Sequence, residues 1–254
     1  MYQSAFGSPR FTSESIHGHA NSQMQEEILP FTVRLVQNEA DLEKAVRVRH
    51  SAYARHLPGL AETLREPEPL DRATGVVILL AESKLDGTPI GSARLQSNHF
   101  QSLAVEQSIE LPNWLNGQSI IEVTRLSVTD GRAGRLVKTL LMKAMYQYWV
   151  DNEIDYAIAT GRAPIDRQYE QLLFTDLFPD QGFIPLRHVA NVPHRVMALC
   201  IETLQKRWAE ACHPLYQLFF HTSHPDINIL DLREMDEAKP TLRTSAERFD
   251  RLQA

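Results

Sequence analysis

SIIEVTRLSVTDGRAGRLVKTLLMKAMYQYWV, residues 119–150, is the most strongly patterned part of the chain. Its first part, Ser119 to Val128, is rich in apolar and β-branched residues, which predicts a strand. Its second part predicts an amphipathic helix from Arg135 to Val150, because apolar residues recur there at helical spacing. These residues are Leu136, Val137, Leu140, Leu141, Ala144, Met145 and Tyr148. With a strand predicted at Ile154 to Thr160, this stretch indicates a βαβ-like unit.

The elements on either side of this unit predict antiparallel strands and further helices. Asp86-Gly87 is a hairpin turn signal between two apolar runs, and Asn38 and Pro58-Gly59 mark the start and end of a helix. The order predicts a single domain with a mixed sheet, of the α/β or α+β class. The remaining predicted strands are Phe31 to Val36, Val76 to Glu82, Pro89 to Gln96 and Arg195 to Ile201, and the remaining helices are Glu39 to Leu57, Gln101 to Glu110, Ile165 to Phe174 and Thr203 to Phe220, the last broken at Pro214.

Both ends of the chain lack this patterning. Residues 1–30 are polar and show no sustained period, which predicts a flexible leader. Residues 231–254 are dense in charge and poor in apolar side chains, which predicts a charged tail. The predicted domain therefore spans residues 31–230.

Composition excludes several classes of protein. The chain has 254 residues, a formal net charge of −6 and two cysteines, so a nucleic acid is a poor general partner and a disulfide framework is excluded. The longest apolar runs, 76–81 and 196–201, are far shorter than the roughly 20 residues of a membrane span. No apolar signal segment opens the chain, which favours the cytoplasm.

Arg49 lies in the inward-facing stripe of the first predicted helix, one turn after Ala45 and one turn before Tyr53. A buried guanidinium needs a carboxylate or an anionic substrate opposite it. The alternative is that only the aliphatic stem packs and the charged head reaches solvent.

Two more arginines, Arg94 and Arg125, lie inside apolar strands. Glu122 and Asp71 are candidate partners, and a structural salt-bridge network is the alternative to a functional site. Strict alternation would put Glu122 and Arg125 on opposite faces of their strand, so a shared cleft requires a β-bulge between them.

The turn from Val128 to Arg135 carries Gly131 and Gly134 at the start of a helix, where free amides and the helix dipole favour an anion. Arg132, Arg135 and Lys138 add positive charge. The turn therefore indicates a phosphate site, and the alternative is an ordinary helix cap.

The histidines and cysteines indicate neither a metal site nor a thiol nucleophile. His221 and His224 lack a third ligand of suitable spacing. Neither Cys200 nor Cys212 has a nearby base in the sequence.

Taken in their order along the chain, four motifs resemble the N-acyl amino acid synthases and the acyl-homoserine-lactone synthases, two branches of the Gcn5-related N-acetyltransferase fold. The resemblance covers about residues 31–205. The motifs are Arg49 with Tyr53, Asp71 after a proline-rich loop, Gly91 to Leu95 in a hairpin strand, and Glu122 with Arg125 in the next strand.

Two departures bear on the branch and the donor. Lactone synthases carry a tryptophan shortly after the first helix and a more crowded set of acids beyond it, whereas this chain has Leu57 to Leu60 in the first region and Asp71 as the clear match in the second. This favours the amino acid synthase branch. In the family's pyrophosphate loop, Val128 replaces a Gln or Arg, which favours a phosphopantetheine arm on acyl carrier protein over free coenzyme A.

The resemblance implies a bacterial enzyme that transfers a long-chain fatty acyl group from acyl carrier protein to the amine of an amino acid, giving a signalling lipid. No tightly bound cofactor or metal is implied, and the acyl-phosphopantetheine thioester is a co-substrate. The product implies at most a weak association with membranes. The alternatives are a lactone synthase and a non-catalytic acyl-binding protein on the same fold.

The resemblance also implies roles for residues. Glu122, alone or through a water molecule, is the expected base, and Arg94 and Arg125 orient the substrate carboxylate or support Glu122. Tyr169 is expected to protonate the leaving thiolate, and the alternative is a helix tyrosine that only packs its ring. The substrate is expected at Arg49, Tyr53, Asp71, Ser127 and Val128, with an oxyanion held by a backbone amide near the last two. The arm and carrier are expected at Gly131, Arg132, Gly134, Arg135 and Lys138, with Lys143 a further docking residue and 215–220 a candidate wall of an acyl tunnel.

Overall fold

The structure is a computed structural model that describes residues 24–229. The predicted tail and the first 23 residues of the predicted leader lie outside the described residues. The predicted leader is too long, because residues 24–30 belong to the fold. Gln25–Glu26 pairs with Thr222–Ser223, and Leu29 is buried in the core.

The helices largely follow the predicted pattern. The first helix begins at Glu39, where Asn38 accepts a hydrogen bond from the Asp41 amide. It ends at Ala54, before the predicted end at Leu57, and Pro58 opens a second short helix, where its missing N–H costs nothing. The helices are α1 (Glu39–Ala54), α2 (Pro58–Glu62), α3 (Gly131–Asp151), α4 (Asp166–Gln171), α5 (Leu204–Glu210) and α6 (Tyr216–Phe220).

The strands build one nine-stranded sheet and a two-stranded pair formed by the first and tenth strands. The segment predicted as a helix at 101–110 contains only a 3₁₀ turn at Ala104–Gln107. The strands are β1 (Gln25–Glu26), β2 (Phe31–Leu35), β3 (Val76–Ser83), β4 (Pro89–Ser97), β5 (Ile120–Val128), β6 (Tyr156–Gly161), β7 (Thr175–Asp176), β8 (Ile184–Leu186), β9 (Val192–Cys200), β10 (Thr222–Ser223) and β11 (Ile227–Asn228).

The large sheet is mixed, as predicted. Its order is β11-β2-β3-β4-β5-β6-β9-β7, with β8 paired to β9. Strands β2 to β5 are antiparallel neighbours, β5 and β6 are parallel, and β9 returns antiparallel to β6. Helix α3 makes the crossover between the two parallel strands, which confirms the βαβ-like unit.

Helices cover the two faces of the sheet. On one face, Leu42, Ala45 and Val46 of α1 pack against Ile78 and Leu80 of β3. On the other face, the apolar stripe of α3 packs against alternate residues of β3, β4 and β5 in the main core. The stripe differs from the predicted one at its ends, because Leu136 is exposed and Trp149 is buried.

Strand β5 contains a bulge. Ser92 pairs with Ser127 and Arg94 pairs with Thr124, so two residues of β5 lie opposite one residue of β4. Arg125, one of these two, has a φ of +55°, a conformation that is unfavourable for a residue with a side chain. The bulge that a shared cleft requires is therefore present.

The conformation and close packing at the start of α3 explain why Gly131 and Gly134 are glycines. Helix α3 begins at Gly131, four residues before the predicted start, and Gly131 has a φ of +84°. Gly134 packs against the preceding turn so closely that a Cβ atom there would lie 1.7 Å from the Thr129 carbonyl oxygen. The turn and the first turn of α3 therefore form one packed unit.

We expect Gly134→Ala to lower the free energy of unfolding by about 3 kcal/mol, because the added methyl group must displace backbone. Urea denaturation measures this. Gly59→Ala in α2 is the matched control, since a Cβ atom there has no neighbour within 4 Å. An equal loss in both variants would contradict the close packing at Gly134.

Candidate active site

A cavity of about 830 Å³ lies where β5 and β6 diverge. The two strands pair from Ile120 to Val123 and from Tyr156 to Ala159. Beyond this pairing, the end of β5 and Thr160 of β6 line the cavity. The carboxyl ends of diverging strands are the usual place for ligands in open α/β sheets.

Both layers of the fold contribute to the wall of this cavity. From one side come Tyr53 of α1 and the residues that follow the helix. From the other side come Lys138, Thr139 and Met142 of α3, with Tyr169 of α4. The cavity therefore reaches residues on both faces of the sheet.

The described lining residues include no aspartate or glutamate. Side chains that carry a positive charge at neutral pH, in contrast, come from four parts of the chain, at Arg55, Arg125, Lys138 and Arg162. The cavity is thus locally positive in a protein of net charge −6 and favours anionic ligands. Its basic lining residues are Arg55, His56, Arg125, Lys138, Arg162, His188, His194 and His213.

A buried ion network lies behind the cavity. Asp71 accepts hydrogen bonds from both terminal nitrogens of Arg49, at 2.7 and 2.9 Å, and one from Arg94 at 3.0 Å. Glu68 accepts hydrogen bonds from Arg125 at 2.6 and 2.8 Å and from Arg94 at 2.9 Å. Three guanidinium groups, from α1, β4 and β5, therefore share two carboxylates from the 63–75 segment.

The network explains the inward-facing arginines. The Arg49 side chain is fully buried and paired, so the alternative in which its head reaches solvent is wrong. Burial opposes ionisation of Glu68 and Asp71, but the guanidinium groups outweigh it and hold the pKa of both carboxyls below their ordinary values. The predicted carboxylate partner of Arg49 is confirmed as Asp71.

Of this network, the cavity is lined by Arg125 alone among the described residues. Arg125 lies over the Tyr53 ring, with its guanidinium carbon 5.7 Å from the ring centroid, and Tyr53 also lines the cavity. Arg49, Asp71 and Arg94 lie behind the wall, where they support Arg125 through Glu68. Their predicted roles in substrate binding and catalysis stay predictions.

Glu122 is fully buried on β5. Its Oε2 accepts a hydrogen bond from the Val105 amide at 3.0 Å, while Oε1 has no hydrogen-bond partner within residues 24–229. Burial raises the pKa of this carboxyl to about 7. Such a group can hold or release a proton at neutral pH, as a general base must.

The bulge places Glu122 and Arg125 near a common neighbour. Arg125 donates a hydrogen bond to the main-chain oxygen of His188 at 3.0 Å, and the His188 ring approaches Glu122, with 3.7 Å between Nε2 and Oε1. Glu122 itself is not among the residues that line the cavity, whereas His188 is. Glu122 can therefore exchange a proton with a substrate in the cavity only if side chains move or if another group transfers the proton between them.

The remaining predicted site residues on β5 and α4 lie in the wall of the cavity. Ser127, Val128 and Tyr169 line the cavity. The Ser127 hydroxyl donates to the Arg125 carbonyl at 3.0 Å, which holds the bulge, and the Val128 carbonyl accepts from Arg55 at 2.8 Å. Burial raises the pKa of the Tyr169 phenol, which therefore keeps its proton.

The predicted carrier residues lie at the start of α3. Arg132 and Arg135 are exposed, and Lys138 lines the cavity and bonds Gln168 of α4. The Gly131 amide is occupied by the Asp130 side chain, at 2.7 Å, as in an ordinary helix cap. The positive charge at this end comes from side chains more than from free amides.

Two further expectations need correction or limits. Lys143 cannot dock a partner, because it is buried and bonds the carbonyl oxygens of Leu218 and Thr222 and the His224 ring. In the segment 215–220, only Leu215 lines the cavity among the described residues, and Phe219 packs in the core.

The sequence reasoning missed Glu68 and His188. Glu68 lies between two prolines in Glu66-Pro-Glu-Pro69, close to Asp71, so a second acid in that loop was a visible signal. His188 follows a short strand in a region without pattern, and nothing in the sequence links it to Glu122.

Residues 24–229 contain no group of three or more histidine, cysteine, aspartate or glutamate residues that could hold a metal ion. Within the same residues, no helix has the length and apolar character to cross a membrane.

Comparison with known proteins identifies the fold. No protein-family model and no curated protein matches the sequence. Among solved structures, the N-acyl amino acid synthase FeeM, from uncultured soil microbes, matches with a TM-score of 0.57 and 17% identity, over 71% of this chain and 96% of its own. This chain has the FeeM fold.

Other acyltransferases also match. The CoA-dependent acyl-homoserine lactone synthase BjaI has a TM-score of 0.49 and 22% identity, over 76% of this chain and 93% of its own. An acyl-CoA N-acyltransferase from Pseudomonas aeruginosa has a TM-score of 0.45 and 17% identity, over 66% of this chain and 97% of its own. The predicted fold of the N-acyl amino acid synthases is confirmed, and the FeeM match carries that conclusion.

We expect Asp71→Asn to lower the free energy of unfolding by about 3–5 kcal/mol, because it leaves buried guanidinium charge without a partner. The pKa of Asp71 is lowered in the fold, so its contribution is present above the ordinary value of 3.8 and is lost as pH falls below that value. Urea denaturation at pH 7 measures the loss.

The control for Asp71→Asn is Glu62→Gln, which removes an exposed pair with Arg65. We expect it to leave the denaturation midpoint unchanged. A stable Asp71→Asn protein at pH 7 would contradict a network that stabilises the fold.

We expect Glu122→Gln to stabilise the protein at pH 8, by about 3 kcal/mol, and to have little effect at pH 4.5. In the wild type, the unfolded carboxyl ionises above its ordinary value of 4.5, whereas the folded one does so only near 7. Stability therefore falls as pH rises between these values, and the amide removes that cost. Thermal unfolding at the two pH values measures the effect.

Glu43→Gln, on the exposed face of α1, is the control for a general effect of removing negative charge. We expect no change at either pH. Equal free energies of unfolding for wild type and Glu122→Gln at pH 8 would show that the buried Glu122 carboxyl does not destabilise the folded protein.

Proposed function

We propose that this protein is an N-acyltransferase that joins a long-chain fatty acyl group, carried as a thioester on acyl carrier protein, to the amine of an amino acid. The observation that carries the proposal is the cavity that reaches residues on both faces of the sheet beside a buried carboxyl whose pKa is raised to about 7. A thioester and an amine are proposed to enter from opposite layers and meet at β5. The FeeM fold agrees with this chemistry.

The donor is proposed to enter from the α3 side. Lys138 lines the cavity there, and Arg132 and Arg135 are exposed beside it. Cationic side chains suit the phosphate of a phosphopantetheine arm and the acidic surface of a carrier protein. Val128 in the turn, where relatives that bind coenzyme A carry a longer polar side chain, favours the carrier over free coenzyme A.

The acyl chain is proposed to lie along the apolar part of the same side. Met142, Ile165, Leu172 and Leu215 line the cavity at α3, α4 and the 213–215 loop. Burying a methylene group there stabilises the complex by about 0.8 kcal/mol. A long chain therefore gains affinity that a short one lacks.

The acceptor is proposed to be a free amino acid, bound by its carboxylate. The lining carries basic side chains and, among the described residues, no acid that would attract a cationic acceptor. Arg125 is the candidate for the carboxylate, because its planar fork suits such pairing. The same charge disfavours the sulfonium cation of S-adenosylmethionine, and hence a lactone synthase.

The chemistry requires three roles. Glu122 is proposed as the final acceptor of the proton that the amine must lose. Past Val123, β5 has no strand partner on the β6 side within the described chain, so an amide near Ser127 or Val128 is the candidate for holding the oxyanion. Tyr169, a protonated phenol in the wall, is the candidate donor to the leaving thiolate.

The test supplies the purified protein with a long-chain acyl group on acyl carrier protein or on coenzyme A, together with either mixed amino acids or S-adenosylmethionine. We expect mass spectrometry to detect an N-acyl amino acid, formed faster from the carrier. Glu122→Gln should retain donor binding and form the amide at least about 100-fold more slowly.

The other outcomes contradict the proposal in identifiable ways. An acyl-homoserine lactone from S-adenosylmethionine would make the protein a lactone synthase. Tight donor binding without product from any acceptor, with the same donor affinity in Glu122→Gln, would make it an acyl-binding protein.

A further inference from the structure

Glu122, the proposed base, does not reach the cavity. Its side chain is fully buried, and it is not among the lining residues. His188 does line the cavity, and its Nε2 atom lies 3.7 Å from Glu122 Oε1. The imidazole therefore lies both close to the carboxyl and at the edge of the space where a substrate would bind.

Three buried polar atoms in this pair have no hydrogen-bond partner among the described residues: Glu122 Oε1, His188 Nδ1 and His188 Nε2. Buried polar groups are nearly always paired, because leaving one unpaired costs roughly 1–3 kcal/mol. An apolar pair would avoid this cost, so packing alone does not explain the two side chains. In substrate-free enzymes, catalytic hydrogen bonds are often long and tighten when substrate binds.

The surrounding structure holds His188 in position. The residue lies in a 3₁₀ turn, Arg187–Val189, and the chain then passes through two left-handed residues, Ala190 and Asn191. The His188 carbonyl accepts a hydrogen bond from Arg125, which Glu68 fixes with two hydrogen bonds of its own. The ion network thus positions the imidazole through its backbone.

We propose that His188 is a catalytic residue that relays a proton from the acceptor amine to Glu122. This inference rests on the proposed function, since it names the group that contacts the amine. The alternative is that a water molecule joins Glu122 to the amine and His188 is only part of the wall.

The relay balances in protons and electrons. The amine enters the step as a neutral nucleophile, and its nitrogen lone pair forms the bond to the thioester carbonyl carbon. As that nitrogen becomes cationic, its proton passes to Nδ1 of the neutral imidazole, while the Nε2 proton passes to Glu122. The C–S bond then breaks with its electron pair on sulfur, and Tyr169 or solvent protonates the thiolate. Return of the Glu122 proton to Nε2 and loss of the Nδ1 proton to solvent then restore the starting state of the pair.

The charges around His188 suit this role. Burial, with the positive charges of Arg125 and Arg94 and the neighbouring His194, opposes a second proton on the ring, whereas Glu68 favours one. The pKa of His188 falls to about 4, so the ring is neutral at physiological pH. A neutral imidazole has one nitrogen that donates and one that accepts, as a relay requires.

The first test is chemical rescue of His188→Ala. We expect kcat to fall about 100-fold or more, with KM for the acyl donor within about twofold of wild type. Added imidazole should restore at least about tenfold of the lost rate, because it can occupy the vacated space. Glu122→Gln and the double variant should show no rescue. A kcat within about threefold of wild type, or no rescue in a folded variant that binds donor, would overturn the relay.

The second test needs no activity and no variant of His188. In ¹⁵N-labelled wild-type protein, we expect the two His188 ring nitrogens to report a titration near pH 7, which arises from Glu122, while the ring stays neutral. Glu122→Gln should abolish this titration. Ring signals that are insensitive to Glu122 would overturn the coupling.

The two tests separate this inference from the proposed function. A wild-type protein that forms no amide with any donor and acceptor would end the proposed function, whatever the titration shows. A wild-type protein that forms the amide but has an uncoupled His188 would end the relay alone.

Discussion

The site depends on the pairing of three buried guanidinium groups with two carboxylates. Arg49, Arg94 and Arg125 come from a helix and two adjacent strands, whereas Glu68 and Asp71 come from one segment. No single arginine could remain buried alone, because the desolvation of an unpaired charge is prohibitive. The pairing therefore ties α1 to β4 and β5 and holds the segment that closes the α1 face. It also explains how Arg125 tolerates a left-handed conformation, since two ion-pair contacts to Glu68 compensate that strain.

The bulge links this network to chemistry. An uninterrupted β5 would turn Arg125 away from the face that carries Glu122, and the cavity would then lack its central cation. With the bulge, the ion-paired cluster lies beside a carboxyl and an imidazole that keep three buried polar atoms without a hydrogen-bond partner among the described residues. The side chains that stabilise the cavity wall are thus different from those proposed to react. The arginines stabilise the wall, while Glu122 is held in a form that costs stability at neutral pH, a common property of functional residues.

Much of the fold follows from local pattern. The hairpin of β3 and β4, the crossover from β5 through α3 to β6, and the cap at Asn38 were all predictable, because periodicity and turn chemistry act over a few residues. The differences arise where tertiary contacts outweigh local preference. Residues 24–30 have no pattern of their own but join the core through Leu29. Helix α3 begins earlier than its apolar stripe because Gly131 and Gly134 allow its first turn to pack on the preceding loop.

From the sequence alone, Arg49 was predicted to face inward, a buried guanidinium was predicted to need an anionic partner, and Glu122 and Arg125 were predicted to share a cleft only through a bulge. These predictions follow from helix and strand periods and from the cost of burying charge. Which residues meet depends on the tertiary structure. Glu68 lies 57 residues from Arg125, and His188 lies 63 residues from it. No local period relates positions so far apart, so their contacts depend on the order of strands in the sheet and on where β5 and β6 separate.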